Sequence, residues 1–213
     1  MQEQLAAGHI GSSTSPWNTP IFVIRKRNGK WRLLQDLRAV NKTMVPMGVL
    51  QPGIPSQGAT PRGYAKLVID LKDCFFSIPL HPEDFKHFAF TLPVINFIGP
   101  SPLFQWRVLP QGMSNSPTLC QKYVAQIIDP FRISYPDLYD VHYIDEILIA
   151  GPDIDQLYFA GRKLVNAPQN QGLQVFPEKI QIHHPHMFLG FELFPNKILS
   201  QNVQVITRSL ADS

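Results

Sequence analysis

Apolar and polar positions along this chain fall into short blocks, most of them closed by proline or glycine. Ile21-Phe22-Val23-Ile24 has the β-branched and aromatic content of a strand. Asn28-Gly29 then supplies two positions that accept positive φ, as a tight hairpin turn requires, and Trp31 to Gln35 forms the returning strand. Lys66-Leu67-Val68-Ile69-Asp70 is a short apolar run ending in a carboxylate, and a short helix is expected near Asp73 to Ile78. Phe88 to Thr91 and Phe104 to Val108 read as two strands of one hairpin with a long connection, 93–103. Ser116-Pro117 starts a helix, a capping hydroxyl before proline at the first helical position, and Pro130 ends it at about Ile128. Tyr139 to Ile144 and Ile147 to Ala150 are strands, with Asp145-Glu146 at the turn between them. Asp153 caps a helix over 154–171 with Leu157, Ala160, Leu164 and Val165 on one face. Pro168 inside it costs about 3 kcal/mol or shortens it. Leu173 to Phe176 and Phe188 to Phe194 are further strands, and Asn196-Lys197 is a turn. A short helix over 2–9 and an extended loop over 44–63 complete the pattern.

Strands that return as hairpins, with helices between them, imply an α+β sheet of the split βαβ kind, its helices on one face. A doubly wound parallel sheet needs helical crossovers between most strands, and this pattern lacks them.

Composition changes this picture little. The 213 residues suffice for one large domain or two small ones, and 44% hydrophobic with 16% charged is ordinary for a globular chain. The 20 prolines fit many short elements joined by firm turns. No apolar run reaches membrane-spanning length, and Met1-Gln2-Glu3-Gln4 does not open a secretory signal. Cys74 and Cys120 make no disulfide framework and are expected as buried thiols in a reducing, intracellular setting, the cytoplasm first. Charge is informative by position. Net charge is only +3, but Arg25, Lys26, Arg27, Lys30, Arg32 and Arg38 crowd onto the first hairpin with only Asp36 against them. That cluster is either a solvated basic ribbon or a phosphate-attracting one.

Two features carry candidate chemistry: Asp70 at the end of an apolar strand, and Asp145-Glu146 at a hairpin tip after Tyr143-Ile144. Phosphoryl transfer builds charge on both the attacking and the leaving oxygen, and two metal ions about 4 Å apart hold both. Mg²⁺ takes oxygen ligands from one or two carboxylates and fills the rest with phosphate and water. Neighbouring strand-end carboxylates supply such ligands. His183-His184-Pro185-His186 has no cysteine or carboxylate at zinc-ligand spacing. No glycine-rich phosphate loop or nucleophile motif is present.

At this point the chain resembles a family. Leu67-Val68-Ile69-Asp70-Leu71-Lys72-Asp73-Cys74-Phe75-Phe76 resembles the first palm motif of retroviral reverse transcriptases. Leu109-Pro110-Gln111-Gly112-Met113-Ser114-Asn115-Ser116-Pro117 resembles their nucleotide-pocket motif, and Tyr143-Ile144-Asp145-Glu146 their catalytic Tyr-x-Asp-Asp hairpin. Residues 15–20 and 30–38 are similar to the fingers, and Phe188-Leu189-Gly190-Phe191 to the primer-grip hairpin. The blocks keep the family's order over nearly the whole chain, and betaretroviral and endogenous retrovirus group K polymerases are the most similar.

The resemblance implies a right-hand polymerase with a ferredoxin-like (RRM-like) palm. Its expected divisions are fingers over 1–65 and 82–110, palm over 66–81 and 111–195, and only the start of a truncated thumb over 196–213. It implies an RNA-directed DNA polymerase, a nucleotidyltransferase that adds deoxynucleoside triphosphates to a primer on an RNA or DNA template. Asp70, Asp145 and Glu146 are the implied catalytic and metal-binding carboxylates, for two Mg²⁺ ions with Mn²⁺ as the alternative. Lys26, Arg32, the Asp73 and Cys74 backbone, Phe75 and Gln111 are the implied nucleotide contacts. Met187, Phe188, Leu189 and Gly190 are the implied primer grip. No membrane partner is implied. The family has aspartate where this chain has Glu146, which motivates the alternative of a catalytically impaired endogenous-retrovirus remnant that only binds nucleic acid.

Overall fold

The computed structural model describes residues 1–25, 29, 31–48, 60–93 and 101–200. The expected turn residue Asn28, with Lys26, Arg27 and Lys30, lies outside them, as does 49–59 of the expected loop.

The centre is a four-stranded antiparallel sheet. Its strands are β4 (Ala65–Lys72), β7 (Tyr139–Tyr143), β8 (Glu146–Gly151) and β9 (Gln174–Val175), in the spatial order β7-β8-β4-β9. Helix α3 (Ser116–Ser134) connects β4 towards β7, and α4 (Ile154–Asn170) connects β8 to β9. Register places Asp70 opposite Glu146, Val68 opposite Leu148 and Lys66 opposite Ala150.

Side chains of β4 divide by parity, as the two-residue period of a strand demands. Leu67, Ile69 and Leu71 join the main core with Cys120 and Val124 of α3 and Leu157 and Leu164 of α4. Val68 joins a second cluster with Leu148, Phe188 and Leu193. So one face of the sheet carries both helices. The other is covered by a small sheet of β10 (His186–Phe188), β11 (Phe191–Leu193) and β12 (Ile198–Ser200). Burial on both faces explains why β4 and β8 read as unbroken apolar runs. Gly161 of α4 faces Leu67, and a Cβ there would run into the Leu67 side chain.

The N-terminal half adds α1 (Gln2–Ala6), the sheet β1-β6-β5 (Ile10–Ser12, Leu103–Trp106, Ala89–Thr91), the ribbon β2–β3 (Ile21–Arg25, Trp31–Gln35) and α2 (Arg38–Thr43). Strand β1 and helix α2 carry no pattern that announces them. Five other expectations need correction. Helix α3 does not stop at Ile128. Pro130 sits on its exposed side, Phe131 is buried again, and the Ser134 hydroxyl donates to the Pro130 carbonyl. Ser116 is not its cap: its hydroxyl donates to the Pro110 carbonyl, and Asn115 holds the cap position. Pro168 is absorbed in the last turn of α4, whose exit is closed by Gln171 and Leu173 amides on the Pro168 carbonyl and by Gly172 at φ +80°. Residues 188–194 are not one strand but parts of β10 and β11, with Leu189-Gly190 as their turn. Finally, Cys74 and Cys120 are not free thiols; they form a disulfide between the 3₁₀ turn after β4 and α3. A separation of 46 residues conceals this pairing, which follows from α3 packing against that turn. The expected Asp153 cap is present, its Oδ1 accepting the Gln156 amide at 2.9 Å.

Candidate active site

The acidic candidates meet on one edge of the central sheet, on the face opposite the helices. Asp70 closes β4, and its cross-strand partner is Glu146. Glu146 therefore belongs to the strand, and the two-residue turn of the β7–β8 hairpin is Ile144-Asp145. The Leu71 amide donates to the Asp145 carbonyl at 2.8 Å, which pins the turn beside Asp70.

That turn is strained. Ile144 has φ +56°, a left-handed conformation that costs most in a β-branched residue. Gln121 of α3 holds it. Its Oε1 accepts the Ile144 amide, and its Nε2 donates to the His142 carbonyl at 3.1 Å. His142 is buried, and burial first, then the nearby Arg132, lowers its pKa to about 4, so it is neutral here.

The carboxylates crowd one another. Burial, and then the negative charge of Asp70, raises the Asp145 pKa. Burial also raises that of Glu146, while a hydrogen bond from the Leu189 amide opposes the rise. A cation placed between Asp70 and Asp145 would relieve this repulsion. In the structure the compensating charge comes from Lys179, whose Nζ lies 2.9 Å from Asp70 Oδ1 and packs over the Phe176 ring. Among the described residues no three His, Cys, Asp or Glu side chains gather as a metal-holding group.

Glu146 stands near enough to this pair to feel both charges, but its carboxylate is engaged elsewhere. Its Oε2 accepts the Leu189 amide at 2.8 Å. Leu189 has φ +49° and Gly190 φ +78°, the paired positive values of a tight hairpin turn. The third expected carboxylate thus ties the β7–β8 strand end to the expected primer-grip turn. Within that hairpin Phe188 is buried, and the Met187 backbone is held by Gln181.

The expected nucleotide contacts are spread over several elements. Asp73 is left-handed at φ 47° and leads into the 3₁₀ turn Cys74–Ser77, which holds half-buried Phe75. Phe76 stacks on Trp106, so it serves the core. Gln111 lies half-buried before Gly112, whose carbonyl accepts from Asn41 at 2.9 Å. Arg32 is exposed on β3, opposite Ile24, and Lys26 lies outside the described residues. Arg38 leaves the basic cluster: it forms a two-pronged pair with Asp36, whose pKa those hydrogen bonds lower to about 2. Sequence reasoning missed Lys179 and Gln121. Both act across long separations, 109 residues to Asp70 and 23 to Ile144, and no local motif marks them.

Comparisons with known proteins bear on the family of the chain. The family model described as reverse transcriptase (RNA-dependent DNA polymerase) matches residues 24–193. The chain is 60% identical over 205 residues to the Gag-Pro-Pol polyprotein of Mason-Pfizer monkey virus, covering 96% of this chain and 12% of that protein. It is 52% identical over 211 residues to the Gag-Pro-Pol polyprotein of mouse mammary tumor virus, with 98% and 12% covered. It is 50% identical over 205 residues to the Pol-related polyprotein of a mouse intracisternal A-particle, with 96% and 24% covered. The chain thus spans about an eighth of the viral polyproteins and a quarter of the last. A match of this extent, over the strand that ends in Asp70, the turn that bears Asp145 and the hairpin that follows, places the chain in the reverse transcriptase family.

Proposed function

We propose that this chain is the nucleotide-adding part of an RNA-directed DNA polymerase, extending a primer on an RNA or DNA template with deoxynucleoside triphosphates. The observation that carries the reading is the Leu71 amide's hydrogen bond to the Asp145 carbonyl at 2.8 Å, which sets the turn bearing Asp145 beside Asp70 at the end of β4. Asp70 and Asp145 would hold Mg²⁺, with Mn²⁺ as the alternative, and such ions supply charge stabilisation on the attacking and leaving oxygens. Two carboxylates suffice for Mg²⁺, which takes its remaining oxygens from phosphate and water. Glu146 then works at one remove, fixing the Leu189-Gly190 turn that would carry the primer end. The central sheet and its two helices are a ferredoxin-like palm over 66–81 and 111–195. Fingers occupy 1–65 and 82–110, and 196–213 begins a thumb. Lys26, Arg32, the Asp73-Cys74 backbone, Phe75 and Gln111 would contact the nucleotide. No helix among the described residues is long and apolar enough to cross a membrane.

A second reading, a nucleic-acid-binding remnant without chemistry, draws on Glu146 standing where the family has aspartate. Primer extension with Mg²⁺ tests both. Extension by the parent chain, abolished by Asp70→Asn, supports the polymerase. Salt-sensitive binding of template–primer with no extension, even at high protein concentration and after Glu146→Asp, supports the remnant.

A further inference from the structure

The face of β4 that bears Asp70 carries a second polar residue. By strand parity Lys66, Val68 and Asp70 share it, and across the sheet their partners are Ala150, Leu148 and Glu146. The acidic end is the site described above, and the middle is sealed by Phe188 and Leu193. The far end, four residues and roughly 13 Å along the strand, is basic.

A cavity of about 260 Å³ opens there, bounded by Thr60, Pro61, Arg62 and Lys66 on one side and by Leu193 to Ile198 on the other. Its walls are joined by the Gly63 amide on the Pro195 carbonyl at 3.3 Å, and the Lys197 turn is closed by the Phe194 amide at 2.9 Å. Arg62, Lys66 and Lys197 line it, and among the described residues no aspartate or glutamate does. Lys66 is 5% exposed, and its ammonium group reaches only the Tyr64 carbonyl, at 3.1 Å. Among the described residues it has no carboxylate partner. Thr60 is equally enclosed; its hydroxyl makes no hydrogen bond of normal geometry, although it lies near enough to Tyr139 to influence that phenol. A buried ammonium without a counter-ion is costly, and a buried hydroxyl held only in poor geometry beside Tyr139 has a donor to spare. One ligand answers both: an anion with several acceptor oxygens.

We propose that this cavity is a phosphate-binding site, separate from the carboxylate site, in which Lys66, Arg62 and Lys197 grip the anion and Thr60 donates to it. The volume equals that of about eight waters of liquid, enough for a phosphate or pyrophosphate group. Three cations in a walled recess suit phosphate oxygens, arginine as a fork and the lysines as point charges. The phosphate comes either from a free anion or from a nucleic-acid backbone.

The test is calorimetric titration of the chain in EDTA, at constant ionic strength, with inorganic pyrophosphate and in parallel with a short DNA duplex. The variants are Lys66→Met, the double variant Arg62→Ala/Lys197→Ala, and Arg162→Ala, an exposed cation on α4, as the control for phosphate drawn to the surface elsewhere. Circular dichroism melting confirms that each is folded. Since Arg62 and Lys197 are exposed at the rim, the double variant remains informative even if Lys66→Met unfolds. The expected result is a loss of about tenfold or more in affinity for the cavity variants, the scale of a charge-assisted hydrogen bond, with Arg162→Ala unchanged. Loss for pyrophosphate alone identifies a free anion, and loss for the duplex alone a backbone phosphate. Undiminished binding of both probes by the double variant, or an equal loss in Arg162→Ala, overturns the proposal.

Discussion

Two hairpins of this chain have similar sequences and opposite situations. β7–β8 and β2–β3 are both apolar ribbons beside charged residues. In the first, five of the six residues of β8 are buried, and α3 clamps the turn through Gln121. In the second, Phe22, Val23, Ile24 and Trp31 are all exposed, Trp31 to 68%. Apolar content therefore means different things in the two places. In β8 it is the core that fixes where Asp145 stands. In β2–β3 only Ile21 and Leu33 of the described apolar residues pack against the core, and Phe22, Val23, Ile24 and Trp31 stand exposed beside Arg25 and Arg32. Position is bought in one hairpin with burial, whereas most of the apolar surface of the other stays open.

The sharpest way to break this contrast is truncation. Leu148→Ala in β8 should lower unfolding free energy by about 2–5 kcal/mol, whereas Phe22→Ala should change it by about 0.5 kcal/mol or less. Equal losses in urea denaturation would erase the distinction. Next in size, Gln121→Ala removes the acceptor of the strained Ile144 amide and should cost about 1–3 kcal/mol. If the clamp matters to the site, the same variant also weakens primer extension more than Phe22→Ala does. A smaller effect is expected from Glu146→Asp, whose shorter side chain should release the Leu189 amide. Hydrogen exchange at Leu189 should quicken by about tenfold, equivalent to one hydrogen bond of about 1.4 kcal/mol, with exchange in β8 unaltered.

A further effect is one of pH. His142 and His186 have pKa values lowered from 6.5 to about 4, by burial above all. The unfolded chain takes up these protons near pH 6.5 and the folded chain only near 4, so the stability they contribute is complete above 6.5 and lost as pH falls to 4. Asp145 and Glu146 act in the other sense, because their raised pKa values make stability fall as pH rises past the ordinary carboxylate range. Comparing the parent with His142→Gln between pH 7 and 4.5 isolates the histidine part: the variant should show a flatter decline. An identical decline would mean that His142 titrates normally.

Much of this was legible in the chain. The central strands were readable because both faces are buried and apolar, and the family resemblance rested on blocks that lie within those strands and their turns. The matching family model covers them. What was hidden follows from long-range placement. A parity rule applied to β4 finds Lys66 and Asp70 on one face, but only the fold puts Lys179 against Asp70, Gln121 beneath Ile144 and Leu189 against Glu146. The Cys74–Cys120 link was concealed for the same reason. Pro130 misled because a helix on the surface tolerates a missing amide where water reaches the freed carbonyl, a fact about its exposed side rather than its neighbours in sequence.

Gly161 sets a dimension. With no side chain there, α4 settles onto β4 at Leu67, three residues before Asp70. The layer thickness beneath the carboxylates is thus set by the smallest residue in the helix. Gly161→Ala would drive a methyl group into the tip of the Leu67 side chain, which must then turn aside within a filled core.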